Sequence, residues 1–157
     1  MLKIITSDKK EFNVEKKVVT VDTSKLISSM VEDNDEDNNE QTIPLPNVSS
    51  NVFSKILEFC KYQSEPSNNR LFEFEKPLKS SILKENISVD WYPNYIDSFD
   101  QNFENEDNRN FIFNVLLGAN YLEINVLLEL MCAFIASKIK GKSREEMCKL
   151  FNIVKPL

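Results

Sequence analysis

The apolar periodicity of the last third of this chain narrows its possible folds more than any other stretch. Residues 125–139 carry Val126, Leu127, Leu130, Met131, Phe134 and Ile135 at helical spacing. Apolar residues cover much of that helix's circumference, so it must be central to the fold or touch a partner on a second side. It ends Lys138-Ile139-Lys140-Gly141. Cations in a last turn followed by glycine form a C-terminal stop. Ser143-Arg144-Glu145-Glu146 then reads as a capping box for a further helix, with Met147, Leu150 and Phe151 on one side at i, i+3, i+4 and Ile153 just beyond. Upstream, 109–118 reads as a helix with Phe111, Ile112, Val115 and Leu116 inward, interrupted at Asn120-Tyr121-Leu122.

The first 14 residues have strand character. Leu2, Ile4 and Thr6 alternate with Lys3 and Ile5, and Phe12 and Val14 lie in a returning strand. Asp8-Lys9-Lys10 is the turn, although it lacks the glycine of a strong hairpin signal. Thr23 or Ser24 is placed to cap a short helix burying Leu26, Ile27, Met30 and Val31. Thr42-Ile43-Pro44-Leu45-Pro46 is extended, and its two prolines make it an edge strand. Asn47 or Ser49 is placed to cap a helix over about 50–62, with Val52, Phe53, Ile56, Leu57 and Cys60 on one stripe. Hairpin, helix, edge strand, helix, loop and three helices make an α+β chain: a small sheet against a helical cluster.

Two stretches stand apart. Residues 32–40 hold six carboxylates in nine residues, which repel one another in any compact form, so this is an exposed loop. A calcium loop there would need a central glycine and spaced Asp ligands, and has neither. Residues 64–90 lose periodicity and read as an insertion or long loop. Between 91 and 108, Trp91, Tyr92, Tyr95, Phe99 and Phe103 alternate with acidic residues. That charge argues against a nucleic-acid stacking platform, so the rings are expected to tack a connecting segment onto the core.

Composition excludes several chemistries. The 157 residues include no histidine, so no Ser-His-Asp triad, no Cys-His pair and no imidazole metal ligand can form. Two glycines cannot build a phosphate cradle or a dinucleotide fingerprint. Three dispersed cysteines form neither a zinc pair nor a disulfide framework. No cofactor, no metal and no enzyme activity are expected. The net charge of −6 disfavours nucleic-acid binding. No run approaches the roughly 18 apolar residues that cross a membrane, and the N-terminus does not read as a secretion signal. Free thiols without such a signal point to cytoplasm and nucleus.

Five strings, in order and in register, carry a resemblance. They are Lys3-Ile4-Ile5-Thr6-Ser7-Asp8, Ile43-Pro44-Leu45-Pro46-Asn47-Val48, Ala119-Asn120-Tyr121-Leu122-Glu123-Ile124, Ile139-Lys140-Gly141-Lys142-Ser143, and Glu145-Glu146 followed by Phe151-Asn152-Ile153. The chain resembles the family of S-phase kinase-associated protein 1, the adaptor of F-box-type cullin–RING ubiquitin ligases. The resemblance covers 2–62 and 109–154. It implies a BTB/POZ fold over 1–139 and, over 140–157, the start of a C-terminal F-box-binding extension. It also implies a non-enzymatic bridge between a cullin and F-box proteins. Asn120, Tyr121 and Ile135 match the cullin face. Phe113, Ile139, Met147, Leu150, Phe151 and Ile153 match apolar positions near the F-box.

Three departures from the family follow. The usual acidic stretch and terminal helix are missing after Val154, so the extension reads as truncated. Arg144 stands where some members carry a hydroxylatable proline, so that modification is not expected. The insertion at 64–90 is longer than usual. An Elongin C-like adaptor or a self-associating BTB domain is the alternative, though the continuation through Phe151 argues against the former. A homodimer through the unoccupied F-box surface is also expected, because exposed apolar helices are sticky.

Overall fold

The computed structural model describes residues 2–20, 23–32, 41–65 and 90–150. The acidic positions 33–40, positions 66–89 of the expected insertion, and Phe151 and Ile153 lie outside the described residues. Chain contacts define two compact units: residues 1–70 with 114–128, and 71–113 with 129–157.

The first unit begins with β1 (Leu2–Ile5) and β2 (Glu11–Val14). They pair antiparallel with Leu2 opposite Val14 and Ile4 opposite Phe12. Period-2 alternation puts Leu2 and Ile4 inside. The expected hairpin is present, and its turn works without glycine because Lys9 takes the left-handed conformation itself, at φ 65°. The Thr6 N–H donates to Lys10 O at 3.0 Å, and the Lys9 N–H to Thr6 O at 3.0 Å. After α1 (Lys16–Thr20) and α2 (Lys25–Glu32) the chain returns as β3 (Gln41–Pro44), parallel to β1. Among the described residues the sheet order is β2-β1-β3, so β3 is an edge strand, as the prolines require.

Helix α1 has no counterpart in the sequence reading. It is five residues long, and Val18, Val19 and Thr20 are β-branched and poor helix formers. Helix α2 is capped by Ser24, whose hydroxyl accepts the Ile27 N–H at 3.2 Å. Ile27 and Val31 are buried, while Leu26 and Met30 are half-buried.

Helix α3 spans Ser50–Ser64. Its buried stripe is Val52, Phe53, Ile56, Phe59, Cys60 and Gln63. Phe59 replaces Leu57 in the expected set; Leu57 is only half-buried. The cap is also corrected. Ser49 occupies the N-cap position, but its hydroxyl donates to Asn51 Oδ1 rather than capping. The carboxylate that meets the helix start is Asp8, from the hairpin turn. Its Oδ1 accepts the Ser50 N–H at 3.0 Å and the Thr6 hydroxyl at 2.6 Å, and Oδ2 accepts the Ser50 hydroxyl. These hydrogen bonds, Ser50 first, hold the Asp8 carboxyl down at about 2, against an ordinary 3.8.

Helix α5 (Glu106–Tyr121) contributes residues to both units. In the first unit it packs closely on α3: a methyl added at Gly118 would stand 2.8 Å from Ile56 Cδ1 and 3.5 Å from Val52 Cγ1. The helix starts three residues earlier than the periodicity suggests and continues through Asn120-Tyr121, where a break was expected. It stops at Leu122-Glu123 in a Schellman turn. The Ile124 N–H reaches Ala119 O at 2.9 Å, and the Glu123 N–H reaches Asn120 O at 3.2 Å. Glu123 supplies the left-handed residue, at φ 55°.

The second unit contains α4 (Trp91–Asp97), most of α6 (Asn125–Ile139) and α7 (Arg144–Leu150). The rings of 91–103 do tack this segment onto a core. Trp91 stacks on Tyr95 at 5.2 Å between centroids, and Tyr95 meets Phe99 edge-on at 5.5 Å. Phe99 and Phe103 both lie against Phe134 of α6, at 6.5 and 5.7 Å. Helix α6 has the expected bounds and stops at Gly141, whose φ is 76°. Ser143 caps α7 as expected, its Oγ accepting the Glu146 N–H at 3.2 Å, but the return half of a capping box differs: Glu146 Oε1 accepts from the Ser143 hydroxyl at 3.3 Å, not from its backbone N–H.

Candidate functional site

Asn120 and Tyr121 are the last two residues of α5, on the corner before α6. Asn120 is exposed and Tyr121 half-buried. Backbone groups of α2 hold this corner in place. The first turn of any helix has N–H groups without intrahelical partners, and the last turn has carbonyls in the same condition. Here the two ends meet. The Lys25 N–H donates to Glu123 O at 3.4 Å and the Leu26 N–H to Leu122 O at 3.3 Å. The buried Ser24 hydroxyl donates to Leu122 O at 2.5 Å while capping α2. The positive end of α2 thus faces the negative end of α5, a favourable dipole arrangement.

The corner presents an apolar residue that the sequence reading did not single out. Leu117, one turn before Tyr121, is 58% exposed, the large hydrophobic residue most open to solvent among those described. It falls outside the buried line Ile112, Val115, Ala119 of the same helix. That misfit to the inward stripe was the available signal. Leu117, Asn120 and Tyr121 lie at i, i+3, i+4 and share one face of α5.

Of the other expected site residues, those described occupy the second unit. Ile135 and Ile139 are half-buried on α6, and Phe113 is half-buried on α5. Met147 and Leu150 stand one turn apart on α7. That helix buries none of its residues; Met147, Cys148 and Leu150 remain partly exposed. An amphipathic helix whose apolar side is left this open has packing still to gain.

A cleft of about 490 Å³ in the first unit is lined in part by Ser24, Ser28, Gln63, Ile124 and Asn125. Its hydroxyls are committed to backbone carbonyls, Ser28 to Thr20 O at 2.8 Å and Ser24 to Leu122 O. Among the described residues no cluster of three or more His, Cys, Asp or Glu could hold a metal ion. Cys60 is fully buried, which pushes its thiol up to about 12, whereas Cys132 is exposed. No helix among the described residues is long and apolar enough to cross a membrane.

Two family models match the chain. Residues 1–65 match the Skp1 family tetramerisation domain, and residues 125–157 match the Skp1 family dimerisation domain. A protein of Schizosaccharomyces pombe named suppressor of kinetochore protein 1 is 38% identical over 152 residues, 97% of this chain and 84% of that protein. An S-phase kinase-associated protein 1 homolog of Tetrahymena thermophila is 37% identical over 149 residues, 92% of this chain and 81% of its own length. The SCF ubiquitin ligase complex protein SKP1a of Dictyostelium discoideum is 33% identical over 153 residues, covering 98% and 83%. With its small sheet and helical cluster of the BTB/POZ type, the chain belongs to the Skp1 family.

Proposed function

We propose that this chain is a non-catalytic adaptor subunit of an SCF-type cullin–RING ubiquitin ligase. It holds a cullin N-terminal region with Asn120, Tyr121 and Ile135, and F-box receptors with Phe113, Ile139, Met147, Leu150, Phe151 and Ile153. Relatives named as SCF ubiquitin ligase complex proteins support the assignment to such a complex. The observation that carries the cullin half is the α5 corner, where Leu117 is 58% exposed beside a partly exposed tyrosine. Tyrosine buries a large area with few rotors and keeps one hydroxyl for a polar contact, which suits an interface anchor. The observation behind the F-box half is α7, whose apolar residues stay partly exposed. The same open face supports a homodimer of the free protein, which an F-box domain would dissociate. An adaptor of this kind works in cytoplasm and nucleus, with no nucleic acid and no membrane as partner. The domain limits that go with this reading are 1–139 for the BTB/POZ-like part and 140–157 for the start of the F-box-binding extension.

Calorimetric titration with a cullin N-terminal region tests the reading. Tyr121→Ala is expected to weaken the complex by about 1–3 kcal/mol. Unchanged affinity would remove Tyr121 from the interface, and no binding by the unaltered chain would remove the cullin from the account.

A further inference from the structure

The chain's net charge is −6, yet four of its 19 cations fall within seven residues: Lys138, Lys140, Lys142 and Arg144, with no Asp or Glu among them. The strip starts in the last turn of α6, passes the Gly141 stop and ends on the first residue of α7. Lys140, Lys142 and Arg144 are exposed, and Lys138 is half-buried. No described carboxylate forms an ion pair with any of the four, whereas Lys3, Lys17 and Lys55 each have a glutamate partner. Burial is the main influence holding the Lys138 ammonium below its ordinary value; nearby Asp97 opposes it and Lys142 adds to it, and Lys138 Nζ lies 5.8 Å from the Phe134 ring centroid. Glu145 and Glu146 follow in the first turn of α7, where the Glu146 carboxylate accepts from the Ser143 hydroxyl. Half-buried Ile139 lies within the strip, and half-buried Met147 and Leu150 lie just beyond it. An apolar ledge with a charged rim is the usual build of a protein interface. A cationic rim in an acidic protein selects a partner of opposite charge, while the overall negative charge repels a nucleic-acid backbone.

We propose that the strip 138–144 is the electrostatic rim of the F-box docking surface, and that the segment it receives carries acidic side chains. The inference rests on the F-box half of the proposed function and adds the charge of the partner. Rim charges act on the association rate and its salt dependence, and apolar anchors act on dissociation.

The test is stopped-flow association of the full chain with a recombinant F-box domain, and with the same domain after its Asp and Glu are changed to Asn and Gln. The double variant K140E/K142E should lower the association rate about tenfold at low salt. The difference should shrink to less than about twofold at 1 M salt, where the screening length is about 3 Å. The amide-substituted domain should associate slowly and ignore the lysine reversals. Met147→Ala should raise dissociation and leave the salt dependence alone. An association rate untouched by K140E/K142E, or equal salt responses of the two domains, overturns the proposal while the adaptor reading stands. Loss of self-association in K140E/K142E with normal F-box association also overturns it, assigning the strip to a second copy of this chain. Tight binding of a labelled DNA duplex that the reversals abolish overturns it as well. An F-box domain that does not bind the unaltered chain ends both readings.

Discussion

Ser24→Ala should destabilise the chain measurably, although it removes a single atom. The hydroxyl makes two buried hydrogen bonds, accepting from the Ile27 N–H at 3.2 Å and donating to Leu122 O at 2.5 Å. Loss of an N-cap of this kind costs about 1 kcal/mol. The Leu122 carbonyl keeps its bond from the Leu26 N–H at 3.3 Å, so it loses one of two partners, for about another 1 kcal/mol. The sum is about 2 kcal/mol, or roughly 4–8 °C in melting temperature for a chain of this size. Ser29→Ala is the control: that hydroxyl is exposed and donates only within its own helix, to Leu26 O at 2.8 Å, so its loss should stay within about 0.5 kcal/mol. Urea unfolding of the two variants beside the unaltered chain gives both values. If Ser24→Ala costs no more than Ser29→Ala, the tie between α2 and the α5 corner is not what holds Tyr121 in place.

Glu123→Gly should stabilise the chain by about 1 kcal/mol in the same assay, because glycine adopts φ 55° without a Cβ penalty; a destabilised variant would show that the glutamate side chain matters more than its backbone. The Asp8 carboxyl is held at about 2 in the folded chain against 3.8, so its contribution is complete above pH 3.8 and fades as pH falls toward 2. Asp8→Asn should therefore flatten the stability-versus-pH curve in that window and leave its shape at neutral pH unchanged. Cys60, buried with its thiol raised to about 12, should resist thiol reagents at pH 8 until the chain unfolds, while exposed Cys132 reacts at once. Rapid labelling of both would mean that α3 opens readily.

How much of this was legible in the sequence follows from which forces act locally. Helix α6 is legible to its observed bounds because its apolar spacing, its terminal cations and Gly141 all give the same limits. The hairpin, the edge strand and the cap at Ser143 were legible for the same reason: short-range chemistry decides them. The missed features need tertiary context. Helix α1 defies the propensity of its β-branched residues, and only packing makes Lys16–Thr20 helical. The end of helix α5 is not legible because nothing in Asn120-Tyr121 favours a helix, and the residue that ends it, Glu123, is not the glycine a left-handed stop normally uses. Asp8 and Ser50 are 42 positions apart, so the cap of α3 could not be found by scanning neighbours. At the candidate site the sequence points to Asn120 and Tyr121 through a family resemblance, whereas Leu117 is signalled only by its misfit to the inward stripe of the helix.

In the proposed adaptor two partly open apolar regions, at the α5 corner and along α7, are completed by two different proteins. Light scattering on a mixture of this chain, a cullin N-terminal region and an F-box domain tests it most directly. The expected result is a complex with one copy of each. Leu117→Arg should release the cullin alone and Met147→Asp the F-box domain alone, with melting temperatures kept within a few degrees. Competition between the two partners for one chain, or a full three-component complex from both variants, would contradict it.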